Sequence, residues 1–339
     1  MGKRINKKLI MNFTLIICTY MRPKPLLDLL NSVKKQSLYP DEILIIDGST
    51  NDETNKMLSQ NLFQNLVYYK VSESERGLTK QRNYGIARAA ESSEIICFLD
   101  DDTILDGNYF KELISTYLLY PNALGVGGYI ENEATWYKTE NNYTPKFNDF
   151  FYDGWKRREG LRYKVRKFFG LDSDKKPGFL PEFGNGRSVG FLPPSGKIYE
   201  VEQLKGGVSS FKKSVFEKIK FSTYFEGYGL YEDADFTLRL SKIGKLYLNT
   251  NARLGHFHNA SGRVNKFKYG RMVVKNGWYI WRVKYPNPSL KNRVKWNIIV
   301  VLLSFLLLKN ILNIKKSKSS IYEFLGRITA WFLLIFSKK

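Results

Sequence analysis

Between residues 13 and 103, short apolar runs alternate with amphipathic stretches. Phe13-Thr14-Leu15-Ile16-Ile17-Cys18 predicts a strand, and after Pro23-Lys24-Pro25 the residues Leu26, Leu27, Leu29, Leu30 and Val33 recur at helical spacing. Ile43-Leu44-Ile45-Ile46 predicts a second strand ending on Asp47, 66–71 a third, 77–90 a helix and 94–99 a fourth strand. Apolar strands alternating with helices specify a mostly parallel sheet flanked by helices, an α/β fold. Ligands of such sheets bind beyond the carboxyl ends of the strands. Those ends are Cys18-Thr19-Tyr20, Asp47-Gly48-Ser49, Ser72-Glu73-Ser74 and Asp100-Asp101-Asp102. All are polar, so the site is expected along that edge.

From about residue 123 to 205 the pattern becomes irregular and rich in aromatic, Gly, Pro and basic residues, including Trp136, Phe150, Phe151, Tyr152, Trp155 and the loop Gly184-Asn185-Gly186. Long loops beside a rigid sheet are read here as the variable substrate region. After Pro286 the character changes again. Residues 296–308 carry no charge and are flanked by Arg293, Lys295 and Lys309, and a second apolar run over 328–337 ends at Lys338-Lys339. Neither run reaches the roughly 20 residues that span a bilayer. Basic flanks with Trp at the edges fit segments lying on an anionic membrane surface; helices packed on the catalytic domain are the alternative.

The chain has 339 residues, with 54 Lys+Arg against 32 Asp+Glu, a formal charge of +22. That excess points to an anionic partner: nucleic acid, anionic lipid or a phosphorylated substrate. Cys18 and Cys97 each sit near the end of an apolar strand and are expected as buried, reduced thiols. No secretory leader is visible before Met11, which points to the cytosol.

Chemistry concentrates in three places. The buried strand ending at Leu99 stops on three adjacent carboxylates, Asp100, Asp101 and Asp102, which repel one another. A divalent cation bound through hard oxygen ligands, Mn²⁺ or Mg²⁺, is one way to hold them; a solvated turn or acidic helix start is the other. Glu232, Asp233 and Asp235 open a helix continued by Phe236, Leu238 and Leu240. The macrodipole alone accounts for acids there, but the position also suits an ionised general base aimed into a cleft. His256 and His258 are the only histidines, two residues apart, so that on a strand both rings share a face. Gly206-Gly207 before a short apolar strand fits either close approach of backbone to a ligand or packing of two segments. No GxGxxG and no GxxxxGK[ST] follows the first strand.

The ordered set formed by Ile-Ile-Cys-Thr-Tyr-Met-Arg, Ile-Ile-Asp-Gly-Ser-Thr-Asn-Asp, Lys80-Gln81-Arg82-Asn83-Tyr84-Gly85, Phe-Leu-Asp-Asp-Asp and Glu-Asp-Ala-Asp-Phe-Thr-Leu-Arg resembles family 2 glycosyltransferases of GT-A fold, from about residue 12 to 263. The resemblance implies a Rossmann-like GT-A domain over 12–265, with a nucleotide-sugar half (12–122) and an acceptor half carrying the catalytic base (123–265). A basic tail (1–11) precedes it, and a helical, membrane-associating extension (266–339) follows. Cys18, Thr19, Tyr20 and Asp47 would then line the nucleotide pocket, Arg22 would help bind the nucleotide sugar, Arg82 would face base or diphosphate, and Asp100 and Asp101 would reach ribose and diphosphate. Asp102 would bind the metal with His256, seven residues before Arg263, or with His258 as alternative. Asp233 would be the catalytic base, with Glu232 supporting it or positioning the acceptor. Cys18 and Gly48 depart from the residues common at these positions in the family, and both neighbour the base pocket.

The implied reaction moves a sugar from a nucleotide-diphosphate donor to a hydroxyl of a glycan or lipid-linked acceptor, with inversion. The expected setting is surface polysaccharide or glycoconjugate synthesis, on the inner face of the cell membrane and in contact with its anionic surface. A basic nucleic-acid-binding protein and an Asp-metal nucleotidyltransferase are the alternatives. Much of the positive charge lies in the flanks of the C-terminal apolar runs and no phosphate-cradling loop is apparent, so no nucleic-acid partner is expected.

Overall fold

The computed structural model describes residues 11–225, 228–257, 265–312 and 314–336. Chain proximity divides the protein into two units, Met1–Ala134 with Pro194–Asn259, and Thr135–Pro193 with Ala260–Lys339. The described strands are β1 (Phe13–Thr19), β2 (Glu42–Asp47), β3 (Leu66–Lys70), β4 (Ile95–Asp100), β5 (Thr103–Leu105), β6 (Ala123–Ile130), β7 (Tyr137–Lys138), β8 (Asp149–Tyr152), β9 (Trp155–Arg158), β10 (Ile198–Val201), β11 (Val208–Lys212) and β12 (Lys245–His256). The α-helices are α1 (Pro23–Val33), α2 (Glu53–Gln60), α3 (Leu78–Ile86), α4 (Tyr109–Leu119), α5 (Leu161–Phe168), α6 (Glu232–Leu240), α7 (Lys266–Lys284), α8 (Leu290–Phe305) and α9 (Ile314–Phe336).

In the first unit the sheet runs β10-β12-β6-β11-β4-β1-β2-β3, with β5 paired to β12. The β4-β1-β2-β3 block is parallel, as the four apolar runs require, and Cys18 stands beside Asp100 in the β1–β4 register. α1 starts on its prolines and turns Leu26, Leu29, Leu30 and Val33 into the core against Phe13, Leu15 and Ile17. β11 then joins β4 antiparallel, which sets Val208 opposite Leu99 and brings the Gly206-Gly207 turn to the end of β4. Phe211, Phe216, Phe221 and Phe236 form a ring cluster that seats α6 on the sheet, with Phe221 and Phe236 stacked at 4.3 Å.

The expectation of irregular structure from residue 123 fails first at β6, a buried strand. Its sequence Ala-Leu-Gly-Val-Gly-Gly-Tyr-Ile holds three glycines, which weaken a strand in isolation. Each glycine instead leaves room for a neighbour. A Cβ on Gly125 would stand 2.7 Å from the Phe211 ring, on Gly127 2.7 Å from Leu204, and on Gly128 2.4 Å from Tyr109. Tertiary packing overrides propensity here.

The second unit holds the antiparallel sheet β7-β9-β8 and helices α5 and α7–α9. Arg187 is buried among Phe150, Tyr163 and Phe191 and donates to both Glu159 oxygens (3.2 and 2.9 Å) and to Asp172 (2.7 Å). Leu171 and Phe183 pack on Ile299 of α8, while Trp281 of α7 stacks on Trp296 of α8 at 5.5 Å. The C-terminal apolar runs differ from the expectation in length. Ser317–Phe336 of α9 is the one helix among the described residues long and apolar enough to cross a membrane. Glu323 and Arg327 interrupt the run in sequence, but on the helix they neutralise each other at 2.6 Å.

Phe236 is fully buried. Phe236→Ala should lower the unfolding free energy by about 3–5 kcal/mol in denaturant titrations. A loss below about 1 kcal/mol would mean that the ring cluster does not hold α6 in place.

Candidate active site

β4 ends in three carboxylates, and each has acquired a cation or donor from a different element. Arg22, at the start of α1, donates from Nη1 to Asp101 Oδ1 (2.9 Å) and Asp102 Oδ2 (3.3 Å). Thr19, the last residue of β1, donates its hydroxyl to the other Asp101 oxygen at 2.7 Å. Burial nonetheless pushes Asp101 up to about 6, against the lowering effect of Arg22 and Thr19. Asp100 lies 3.7 Å from Arg82 Nη2. His256, the last residue of β12, holds Nε2 2.9 Å from Asp102 Oδ1 and 4.0 Å from Asp100 Oδ2. Burial disfavours its charged ring, but the Asp102 hydrogen bond and the two carboxylates prevail and raise its pKa.

Asp100, Asp102 and His256 therefore each offer one ligand atom within 4.8 Å of the others. Two carboxylate oxygens and an imidazole are a donor set that suits Mn²⁺ or Mg²⁺ and fits a divalent cation. His258 lies outside the described residues. Asn132, which the sequence pattern did not single out, clamps the His256 backbone: its amide accepts from His256 N and donates to His256 O, both at 3.0 Å.

The second carboxylate group is carried by the first turn of α6. Tyr231, in the left-handed region at φ 72°, turns the chain into the helix. Glu232 is buried and accepts from Arg82 Nη1 at 2.5 Å, while its Oε2 has no hydrogen-bond partner. Arg82 is itself buried, its guanidinium 5.6 Å from the Phe98 ring centroid and 5.2 Å from that of Phe221. Burial pushes Glu232 up to about 8, with Arg82 opposing and Asp233 and Asp100 reinforcing the rise. Asp233 is half-buried and accepts from the backbone N–H groups of Gly206 (3.2 Å) and Ala234 (2.7 Å). Burial raises its pKa, while those two donors pull it down. Asp235 is buried and paired with Arg239 at 2.6 Å, on the side of α6 that serves packing.

Gly206 and Gly207 join the two groups. A Cβ on Gly207 would stand 2.0 Å from the Asp100 carboxylate, and one on Gly206 2.6 Å from Glu232 Oε1 and 2.7 Å from Arg82 Nη1. Of the two readings open from sequence, approach to a ligand or packing of two segments, these contacts are packing: the side chains of Asp100, Glu232 and Arg82 lie against the glycines.

The remaining residues sit along the same edge. Asp47 is fully buried, and its oxygens accept from Ser49 N (2.8 Å) and the Tyr68 hydroxyl (2.9 Å). Gln81 donates to Thr19 O (3.1 Å) and Ile46 O (2.7 Å), locking the ends of β1 and β2 together. Tyr20 is about half exposed; Cys97 is buried and Cys18 only partly so, its thiol pushed up to about 12 by burial.

Residues 14–174 match the family profile described as Glycosyl transferase family 2. Curated relatives include the O-antigen chain rhamnosyltransferase RfbN of Salmonella typhimurium, 30% identical over 105 residues, covering 31% of this chain and 32% of the relative. A glucosyl-dolichyl phosphate glucuronosyltransferase of Haloferax volcanii is 25% identical over 122 residues, 35% of this chain and 38% of the relative. The poly(ribitol-phosphate) beta-N-acetylglucosaminyltransferase TarS of Staphylococcus aureus is 30% identical over 108 residues, 30% of this chain and 18% of the relative. These alignments span well under half the length of each relative. Among solved structures, GalNAc-T7 with UDP, GalNAc and Mn²⁺ superposes with a TM-score of 0.53 at 14% identity, covering 89% of this chain and 58% of the other. Residues 14–174 are thus similar in sequence to family 2 glycosyltransferases, and the sheet with its flanking helices shares a GT-A-like fold with that structure.

Two measurements probe this geometry. Asp102→Ala should weaken Mn²⁺ binding by calorimetry by at least about tenfold, since it removes one of three candidate ligands. Unchanged affinity would take Asp102 out of the ligand set. Because the folded-state pKa of Glu232 is raised from 4.5 to about 8, its protonated form stabilises the fold at low pH. That contribution is complete below about pH 4.5 and lost as pH rises through about 8. In chelator, the unfolding free energy of the wild type should fall relative to Glu232→Gln from pH 5 to 9; parallel profiles would contradict the shift.

Proposed function

We propose that this protein is an inverting, divalent-cation-dependent glycosyltransferase that moves a sugar from a nucleotide-diphosphate donor to a hydroxyl of a glycan or lipid-linked acceptor. The observation that carries this reading is the Gly206-Gly207 turn. One glycine donates its N–H to Asp233, and its neighbour lies under the Asp100 carboxylate beside Asp102 and His256. A candidate base and a candidate cation site are thus fixed by adjacent residues of one turn.

Asp100, Asp102 and His256 would hold Mn²⁺ or Mg²⁺, whose charge offsets that developing on a leaving diphosphate. Arg22 holds Asp101 and one oxygen of Asp102, which leaves the other Asp102 oxygen toward His256. Arg82, anchored by Glu232 and two rings, keeps Asp100 turned toward the same point. Asp233 takes the acceptor hydroxyl proton as that oxygen attacks the anomeric carbon. Its raised pKa moves it toward the working pH, while two backbone donors keep an ionised form available. A single displacement with one base inverts the centre.

The polar edge formed by Thr19, Tyr20, Cys18 and the Asp47 turn would receive the nucleotide. The relatives named for polymer chains and for a dolichyl phosphate-linked sugar favour an acceptor from surface polysaccharide or glycoconjugate assembly. Residues 260–339 hold seventeen Lys or Arg and a single acid, Glu323, so much of the excess positive charge suits an anionic membrane surface on the cytoplasmic side.

With a panel of nucleotide sugars and Mn²⁺, Asp233→Asn should lower kcat by about 100-fold or more while donor binding persists. Normal turnover would remove Asp233 as the base. Chelator should abolish wild-type turnover until Mn²⁺ or Mg²⁺ is restored, and full activity in chelator would sink the cation assignment.

A further inference from the structure

Ser317–Phe336 of α9 is long and apolar enough to cross a membrane, with 22% of that stretch buried within the protein. The way it is held argues for a different placement. At 3.6 residues per turn, Ile321, Leu325, Phe332 and Phe336 fall within about 60° of one another. All four are exposed, Phe336 by 73%, and Tyr322, Leu333 and Ile335 widen the stripe. The opposite side carries Glu323, Gly326, Arg327 and Ala330. This side lies on α7 with no room between the backbones: a Cβ on Gly270 would stand 2.2 Å from Glu323 O, and one on Gly326 2.1 Å from Phe267 O. Glu323 pairs with Arg327 at 2.6 Å and with Lys266 at 3.8 Å.

α7 is not a helix that can follow α9 into hydrocarbon. Its exposed positions include Lys266, Lys268, Arg271 and Lys275, all basic. Driving the crossed pair through a bilayer would carry these four cations into it, in a segment whose single acid is Glu323, and that is costly. α8 presents a matching surface. Leu290, Val294, Ile298 and Phe305 are exposed within about 80° of arc, flanked by exposed Lys291 and Arg293. Trp331 of α9 donates to Asn297 of α8 at 2.8 Å and ties the two helices.

We infer that α9 lies in the plane of an anionic membrane, its apolar stripe in the headgroup–acyl boundary, and that the Gly270–Gly326 crossing with α7 holds it out of a spanning orientation. The occupant of the stripe is lipid, because apolar faces bordered by cations, in a segment with a single acid, match the interior and the charge of an anionic surface together. This deepens the membrane placement proposed above and rests on it, but not on the glycosyl-transfer reading.

The test uses the full chain with sealed vesicles of 30% phosphatidylglycerol in phosphatidylcholine, and vesicles of phosphatidylcholine alone. The chain should float with the anionic vesicles, lose about tenfold in affinity between low and high salt without full release, and be extracted by alkaline carbonate. Phe332→Glu with Phe336→Glu, both on the exposed stripe, should cut flotation by about 100-fold or more while the circular dichroism spectrum and melting temperature stay unchanged. Resistance to carbonate, with a C-terminal label reachable only from the vesicle lumen, would mean that α9 spans, and overturns the inference. Failure to float, whether the chain is monomeric or forms a dimer that the double substitution dissociates, overturns it too. Nucleotide release from donor sugars, measured without vesicles, reports on the enzymatic reading separately.

Discussion

Three consecutive carboxylates at the end of a buried strand are the constraint around which the first unit is organised. Two unit charges about 4 Å apart repel by about 4 kcal/mol at an effective dielectric near 20, so Asp100, Asp101 and Asp102 hold together only if compensating charge reaches them. It comes from three directions: Arg22 at the start of α1, Arg82 on α3 and His256 at the end of β12. Each donor needs its own support. Arg82 is desolvated between two rings and hydrogen-bonded to Glu232; the backbone of His256 is clamped by Asn132. The Gly206-Gly207 turn must be side-chain-free because Asp100, Glu232 and Arg82 converge on it. Even with these partners Asp100 remains more than a third exposed, so a carboxylate is left facing outward at the strand end.

This arrangement divides the acids by environment. Asp101 serves as a buried strut between β1 and α1, whereas Asp100 and Asp102 turn toward His256. On α6, Glu232 is committed to Arg82 and Asp235 to Arg239, which leaves Asp233, held by two backbone N–H groups, as the acid of that helix suited to proton transfer. Neighbouring residues of one helical turn thereby take different tasks through their partners rather than through their chemistry.

The parallel block was legible because its strands are mostly apolar and are followed by polar residues, and the acidic strand end and the α6 acids were legible because local composition marks them. What the pattern could not carry were contacts between distant segments. Asn132 and His256 are 124 residues apart, and a lone Asn after a glycine-rich stretch gives no signal. β6 was hidden because its glycines lower strand propensity, and their value appears only with Phe211, Leu204 and Tyr109 in place. α9 reads in sequence as a short apolar run, since Glu323 and Arg327 interrupt it, and only on the helix do they share the side that meets α7. The packing of 161–192 on α8 through Leu171, Phe183 and Ile299 likewise joins residues that no local rule connects.

The central claim is that one carboxylate, Asp233, deprotonates an acceptor that attacks the anomeric carbon directly. Stereochemistry tests it without reference to rate. With a nucleotide sugar found to be turned over and a soluble acceptor analogue, proton nuclear magnetic resonance of the first-formed product gives its anomeric configuration. Inversion relative to the donor is the predicted result; retention would require a covalent or front-face route and would contradict the account.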